Sequence, residues 1–134
     1  MTEAELHRLA GPPVILQRCI RASRHLRVVT IRDEVFVASL RAAEVDWRSN
    51  EINHERFRPE PDEAWPCVRQ GATALAAALQ IGFSAQDWIV DNSGRPFFLE
   101  VNPNGQWLFL DPLWDGRIGE SLAMALERLA SDGS

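Results

Sequence analysis

Apolar positions along the chain recur with two periods, and the switch between them separates strands from helices. Val14–Ile20 (VILQRCI), His25–Arg32 (HLRVVTIR) and Val35–Leu40 (VFVASL) are short apolar runs, the second rich in β-branched residues. Such runs fit a pleated, half-buried surface. Asp33-Glu34 supplies a tight polar turn, so 25–40 is predicted to be a hairpin. A second hairpin is predicted from Ala85–Val90 (AQDWIV), a turn over Asp91–Arg95, and Pro96–Asn102 (PFFLEVN). The period changes over Asp62–Ile81, where Trp65, Val68, Ala72, Leu75 and Leu79 share one helical face and Gly82 is placed to stop the helix. It changes again over Arg117–Ala130, with Ile118, Leu122, Ala125, Leu126 and Leu129 on one side. Residues 3–9 suffice for one short helical turn before Gly11-Pro12-Pro13. Residues 44–61 mix charge, asparagine and proline and read as an irregular loop, long enough to suggest a functional segment. The expected fold is α+β: an antiparallel sheet of about five strands, both long helices on one face, the other face open.

Composition narrows the function classes. At 134 residues, 46% apolar and 25% charged, the chain has the length of one domain and is too apolar for disorder. No run of eighteen apolar residues offers a membrane-spanning helix, and the acidic start of Met1–Pro13 is unlike a secretory signal. A cytoplasmic protein without a membrane partner is expected. A net charge of −5, from 19 acids and 14 bases, argues against nucleic acid as a partner. Every base is arginine, which forks onto phosphate or carboxylate, although codon bias alone produces such usage. Cys19 and Cys67 form neither a metal motif nor a disulfide framework and are expected as reduced, buried thiols. His7, His25 and His54 are scattered and are expected at the surface. The five tryptophans are expected mainly in the core, with Trp107 alone considered for substrate contact.

The second hairpin carries the candidate chemistry. Glu100 and Asn102 are two residues apart on a strand and share a face. With a four-residue loop, Asn92–Arg95, Asp87 stands directly opposite Glu100 and points the same way. Two carboxylates and an amide oxygen at close range repel one another unless a cation sits between them, and oxygen ligands suit magnesium. A one-residue slip undoes the convergence, and an ordinary surface hairpin bearing acids is the alternative.

The same residues carry a resemblance. FLEVNPNGQW (98–107), preceded by AQDWIV (85–90), resembles the metal-binding end of the ATP-grasp ligases. Its NPNGQW continuation is similar to that of the ATP-grasp ligases that macrocyclise ribosomal peptides, the microviridin or graspetide maturases. PVILQRCI (13–20) resembles the family's adenine-binding hinge and HLRVVTI (25–31) its arginine strand. DWRSN (46–50) resembles the RSN segment found also in the glutamate ligases that modify a ribosomal protein.

The resemblance implies that Asp87, Glu100 and Asn102 hold one or two magnesium ions on the phosphates of ATP. It implies that Gln17 and the backbone of Arg18, Cys19 and Ile20 contact adenine, with Ile20 and Leu99 lining its pocket. Arg27 would face phosphate, and Arg48 and Asn50 would hold an acyl phosphate or the acceptor. Asp46 would orient Arg48, and Gly105 would permit a tight loop. The implied cofactors are ATP and Mg2+, the implied partner is a peptide or protein substrate, and the implied reaction is carboxylate activation followed by attack of an amine or hydroxyl.

The likeness covers roughly residues 13–130, as an ATP-grasp C-terminal subdomain over 13–131 after an extension over 1–12. The family's lid loop and phosphate-binding lysines lie upstream of the hinge, and this chain contains no lysine. His25 and Arg18 stand where relatives carry acids. An N-terminal ATP-grasp half on another chain, or a second copy in a homodimer, is therefore expected to cover an apolar patch at Val14, Leu16, Ile20 and Leu99. The alternatives are a nucleotide- or peptide-binding module without catalysis and a plain interaction domain.

Overall fold

The computed structural model describes Pro13, Ile15 and residues 17–42 and 44–132. Its strands are β1 (Ala22–Ile31), β2 (Glu34–Leu40), β3 (Arg58–Pro59), β4 (Phe83–Asp91) and β5 (Pro96–Asn102). They form one antiparallel sheet in the order β3-β2-β1-β4-β5. Among the described residues three helices accompany it: α1 (Asn53–Arg56), α2 (Pro66–Ala78) and α3 (Arg117–Asp132). Short 3-10 turns lie at Trp47–Ser49 and Asp111–Trp114. Among the described residues no helix is long and apolar enough to cross a membrane.

The α+β class and the two hairpins are as the pattern predicts. The helices, however, divide between the faces. Leu26 and Val28 of β1 pack with Val37, Val90 and the α2 residues Val68 and Ala72. The alternate residues Val29 and Ile31 pack with Phe36, Ala38, Leu40, Leu110 and the α3 residues Ile118 and Ala125. Successive strand residues point to opposite faces, so α2 and α3 lie on opposite sides of the sheet. The physical reason is in β1 itself. From Leu26 to Ile31 it is buried at every position, which requires cover on both faces.

Several boundaries move for identifiable reasons. Among the described residues of 14–20 there is no strand, and β1 is paired on both sides, by β2 and β4. Val14 and Leu16, residues 3–9 with His7, and the whole 1–12 extension lie outside the described residues. Helix α2 starts at Pro66 rather than Asp62: Trp65 takes a left-handed conformation (φ 58°), and Pro66 fills the first helical position, where its missing N–H costs nothing. The left-handed residue after the helix is Gln80 (φ 55°), not Gly82.

Residues 44–61 are structured. Trp47, Asn53 and Phe57 are buried, the Asn53 side-chain amide donates to the Trp47 carbonyl (2.9 Å), and the Trp47 and Phe57 rings meet edge-on at 5.0 Å. Cys19 and Cys67 are free thiols but exposed, and His25 is buried. Trp107 packs against the α3-side core rather than facing an open site.

Candidate functional site

Three neighbouring strands place three charged side chains in one row. Arg27 of β1 pairs with Asp87 of β4, and Asp87 pairs with Glu100 of β5. Directly opposed residues share a face, so the row is continuous. At its inner end Arg27 and Asp87 are 5% and 4% exposed and joined by Nη1 to Oδ1 at 2.8 Å. Arg27 Nη2 donates to the Gln106 carbonyl at 2.9 Å, so the guanidinium is held on two sides. Burial pushes the Asp87 carboxyl up, the Arg27 charge pulls it back, and the neighbouring Glu100 adds to the upward push. Its second oxygen, Oδ2, is buried and has no hydrogen-bond partner.

The convergence of Asp87 and Glu100 arises by a route the sequence does not show. The last ladder pair before the turn is Val90–Pro96, so the turn takes one residue more than the four expected. Unchanged, that slip would bring Leu99 opposite Asp87. A bulge between Asp87 and Trp88 absorbs the difference: Trp88 pairs with Phe98, Asp87 with Glu100, and Leu99 is the extra residue. Asn102, paired with Ala85, shares the face of Glu100 two residues along. Its Oδ1 accepts from the Asn104 N–H (2.8 Å) and keeps lone-pair capacity.

Arg48 enters from the Trp47–Ser49 turn. Its Nη1 lies 2.7 Å from Glu100 Oε1 and 3.7 Å from Asp87 Oδ2. Asp46 caps the turn by accepting from the Arg48 backbone N–H (3.0 Å) and grips Arg48 Nε (2.9 Å). These contacts, Asp46 first, hold the Arg48 guanidinium above its ordinary pKa. Three carboxylates thus share two guanidinium groups, which leaves net negative charge. Asn50 is occupied locally, donating to Glu44 and accepting from the Ile52 N–H.

A cleft of about 1160 Å³ opens over the row. Gln17, Arg18, Cys19, Ile20 and Leu99 all line it, together with Arg48, Asp87 and Glu100. Arg27, Asn50 and Asn102 are not among its lining residues. His25 is at the cleft, its Nε2 3.1 Å from the Glu44 carbonyl, and burial holds its pKa below the ordinary value. Ile89 and Phe97, a ladder pair, add apolar lining that sequence reasoning passed over. The signal was present, since Ile89 stands two residues from Asp87 on the same face. The Gln106 carbonyl, a backbone group, left no signal. Gly105 explains how it reaches Arg27: a Cβ there would meet Ala85 Cβ at 2.6 Å and Arg27 Nη2 at 2.9 Å.

The donor set fits a hard cation. Among the described residues no cluster of three or more His, Cys, Asp or Glu could hold a metal, so the candidate is two carboxylates with an amide oxygen. Magnesium is bound in this way, by few protein oxygens plus phosphate. The buried Asp87 Oδ2, which no hydrogen bond satisfies, is the observation that favours such an ion.

Comparison with solved structures shows what this fold is similar to. Solved structures that resemble this chain include proteins described as ATP-grasp ligases and as macrocyclases. One is the RiPP-associated ATP-grasp ligase of Chryseobacterium gregarium, in complex with ADP and a leader and core peptide. It is 25% identical, with a TM-score of 0.75, over 84% of this chain and 35% of that one. Another is the macrocyclase MdnB of Microcystis aeruginosa MRC, 26% identical with a TM-score of 0.62, over 93% and 44% of the two chains. The ATP-grasp ligase PsnB, complexed with minimal precursor, Mg and ADP, shares the fold at 18% identity and a TM-score of 0.65, over 94% and 39%. This chain thus spans 35–44% of the length of these ligases. No protein-family model and no curated protein matches it.

Proposed function

We propose that this chain supplies the C-terminal, nucleotide- and metal-binding portion of an ATP-dependent ligase acting on a peptide or protein. The observation that carries the reading is the buried Asp87 Oδ2, which has no hydrogen-bond partner, set beside Glu100 in a cleft lined by Gln17, Cys19, Ile20 and Leu99. Asp87, Glu100 and Asn102 would hold magnesium. Bound there, the ion would neutralise phosphate charge as the γ-phosphoryl group passes to a carboxylate. The Arg27 charge favours the Asp87 carboxylate against the burial that raises its pKa. Gln17 and the backbone of 18–20 would hold adenine, with Ile20 and Leu99 lining its pocket. Arg48 supplies a forked donor set for phosphate or acyl phosphate. A lysine-bearing N-terminal half supplies the rest of the phosphate cradle, on another chain or in a longer form of this one. The exposed Ile15 and Leu99 belong to the surface such a part, or a second copy, would cover. Two free, exposed thiols suit a reducing, cytoplasmic setting.

Calorimetric titration of ADP with magnesium into the chain, beside its Glu100→Ala variant, tests the reading. Binding that weakens tenfold or more in the variant is expected; equal binding in both would sink it. A second reading, a binding module without catalysis, is favoured by the absence of lysine. Phosphoryl transfer rests almost entirely on positioning and charge neutralisation. ATP turnover by the isolated chain would exclude that second reading.

A further inference from the structure

Arg48 Nη1 occupies the gap between Glu100 Oε1 and Asp87 Oδ2, while Nε of the same guanidinium stays on Asp46. Glu100 and Asp87 are the carboxylates assigned above to the metal. A guanidinium and a divalent cation would therefore claim the same oxygens. Arg48 is half-exposed, hinged at its Nε by Asp46, and lines a cleft large enough for a phosphorylated ligand. It can leave the carboxylates without leaving the site.

We propose that Arg48 is an exchangeable counter-ion: it neutralises Asp87 and Glu100 when no divalent cation is bound, and turns to an anion in the cleft when one is. The inference rests on the metal reading above and adds a coupling to it. Metal binding frees the guanidinium for an anion, and an anion that draws off Arg48 frees the carboxylates for metal. Such coupling is reciprocal by thermodynamic necessity. The Trp47–Ser49 turn is then a working part of the site, because Asp46 fixes the pivot about which Arg48 exchanges partners.

Manganese is the metal probe, with free Mn2+ read by electron paramagnetic resonance on the full chain and no turnover required. Arg48→Gln should bind Mn2+ more tightly, by about three- to tenfold, since a half-exposed ion pair competes only modestly. Arg117→Gln, which removes the same charge far from the cleft, should match the wild type. In the wild type, sulfate replacing chloride at fixed ionic strength should tighten Mn2+ binding, and in Arg48→Gln it should not. Arg48→Lys keeps the charge but cannot bridge Asp46 and Glu100 together, and should fall between wild type and Arg48→Gln. If Mn2+ binds the wild type and is lost in Glu100→Gln, but Arg48→Gln binds it equally or more weakly, the exchange is wrong and the metal site stands. If neither wild type nor Arg48→Gln binds Mn2+ at millimolar concentration, the metal site and the exchange fall together.

Discussion

Removing the Arg27 guanidinium would leave the Asp87 carboxyl in the sheet interior without its closest cation. Breaking one side of a buried ion pair costs about 3–5 kcal/mol, because an uncompensated charge remains. Arg27→Met should lose that much in urea unfolding, and the Arg27→Met, Asp87→Asn pair should lose less than the sum of its parts. No hydropathy pattern in HLRVVTIR reveals this, since the partner of Arg27 is 60 residues away. The same reason accounts for the burial of His25 and the exposure of the cysteines against expectation: one residue says little about which segment folds over it. Asp91 makes a contrasting case at the surface. It accepts from the Ser93 N–H and hydroxyl and from the Arg95 N–H, and these bonds, that of the Ser93 side chain foremost, lower its pKa from 3.8 to about 2. A depressed carboxylate stabilises the fold fully above its unfolded value and loses that contribution as pH falls through the folded one. Its share should therefore disappear between about pH 4 and pH 2, and Asp91→Asn should flatten the acid limb of the stability profile over that window.

The β4–β5 hairpin holds two one-residue irregularities that cancel, an extended turn and a bulge at Leu99. Register was legible in the sequence only in its outcome: Asp87 does face Glu100, but through a longer turn and a bulge, neither of which spacing can distinguish from a regular hairpin. Deleting Leu99 should make the ladder regular and leave Glu100 opposite Asp87, while removing one apolar side chain from the cleft. Such a deletion should preserve Mn2+ binding and weaken ADP about fivefold, from about 1 kcal/mol of lost apolar burial. A loss of Mn2+ binding instead would show that the bulge also sets the carboxylate geometry. The β1–β2 hairpin was readable because β-branched residues and a polar turn agree. The start of α2 and the 44–61 segment were not, because Pro66 and the isolated anchors Trp47 and Phe57 act through position rather than period.

Across the whole molecule, α3 shows how much of the pattern the chain itself consumes. Ile118 and Ala125 are buried against the sheet, whereas Met124, Leu126 and Leu129 of the same helix are exposed. Ile118→Ala should cost about 2–5 kcal/mol by opening the α3-side core, measured by thermal or urea unfolding. Leu129→Ala should change stability little in the same assay. The α+β class was legible because strand and helix periods alternate cleanly along the chain; the division of helices between faces was not, because periodicity names the apolar side of a helix without naming the surface it meets. β1 belongs to both cores, contributing Leu26 and Val28 to one and Val29 and Ile31 to the other. Neither core can come apart without disturbing the strand that the other needs, which argues for a single cooperative unfolding unit. Arg27 projects from that same strand. Any ligand that steadies the row from Arg27 to Glu100 would then raise the melting temperature of both halves together, and one melting curve would serve as a readout of cleft occupancy.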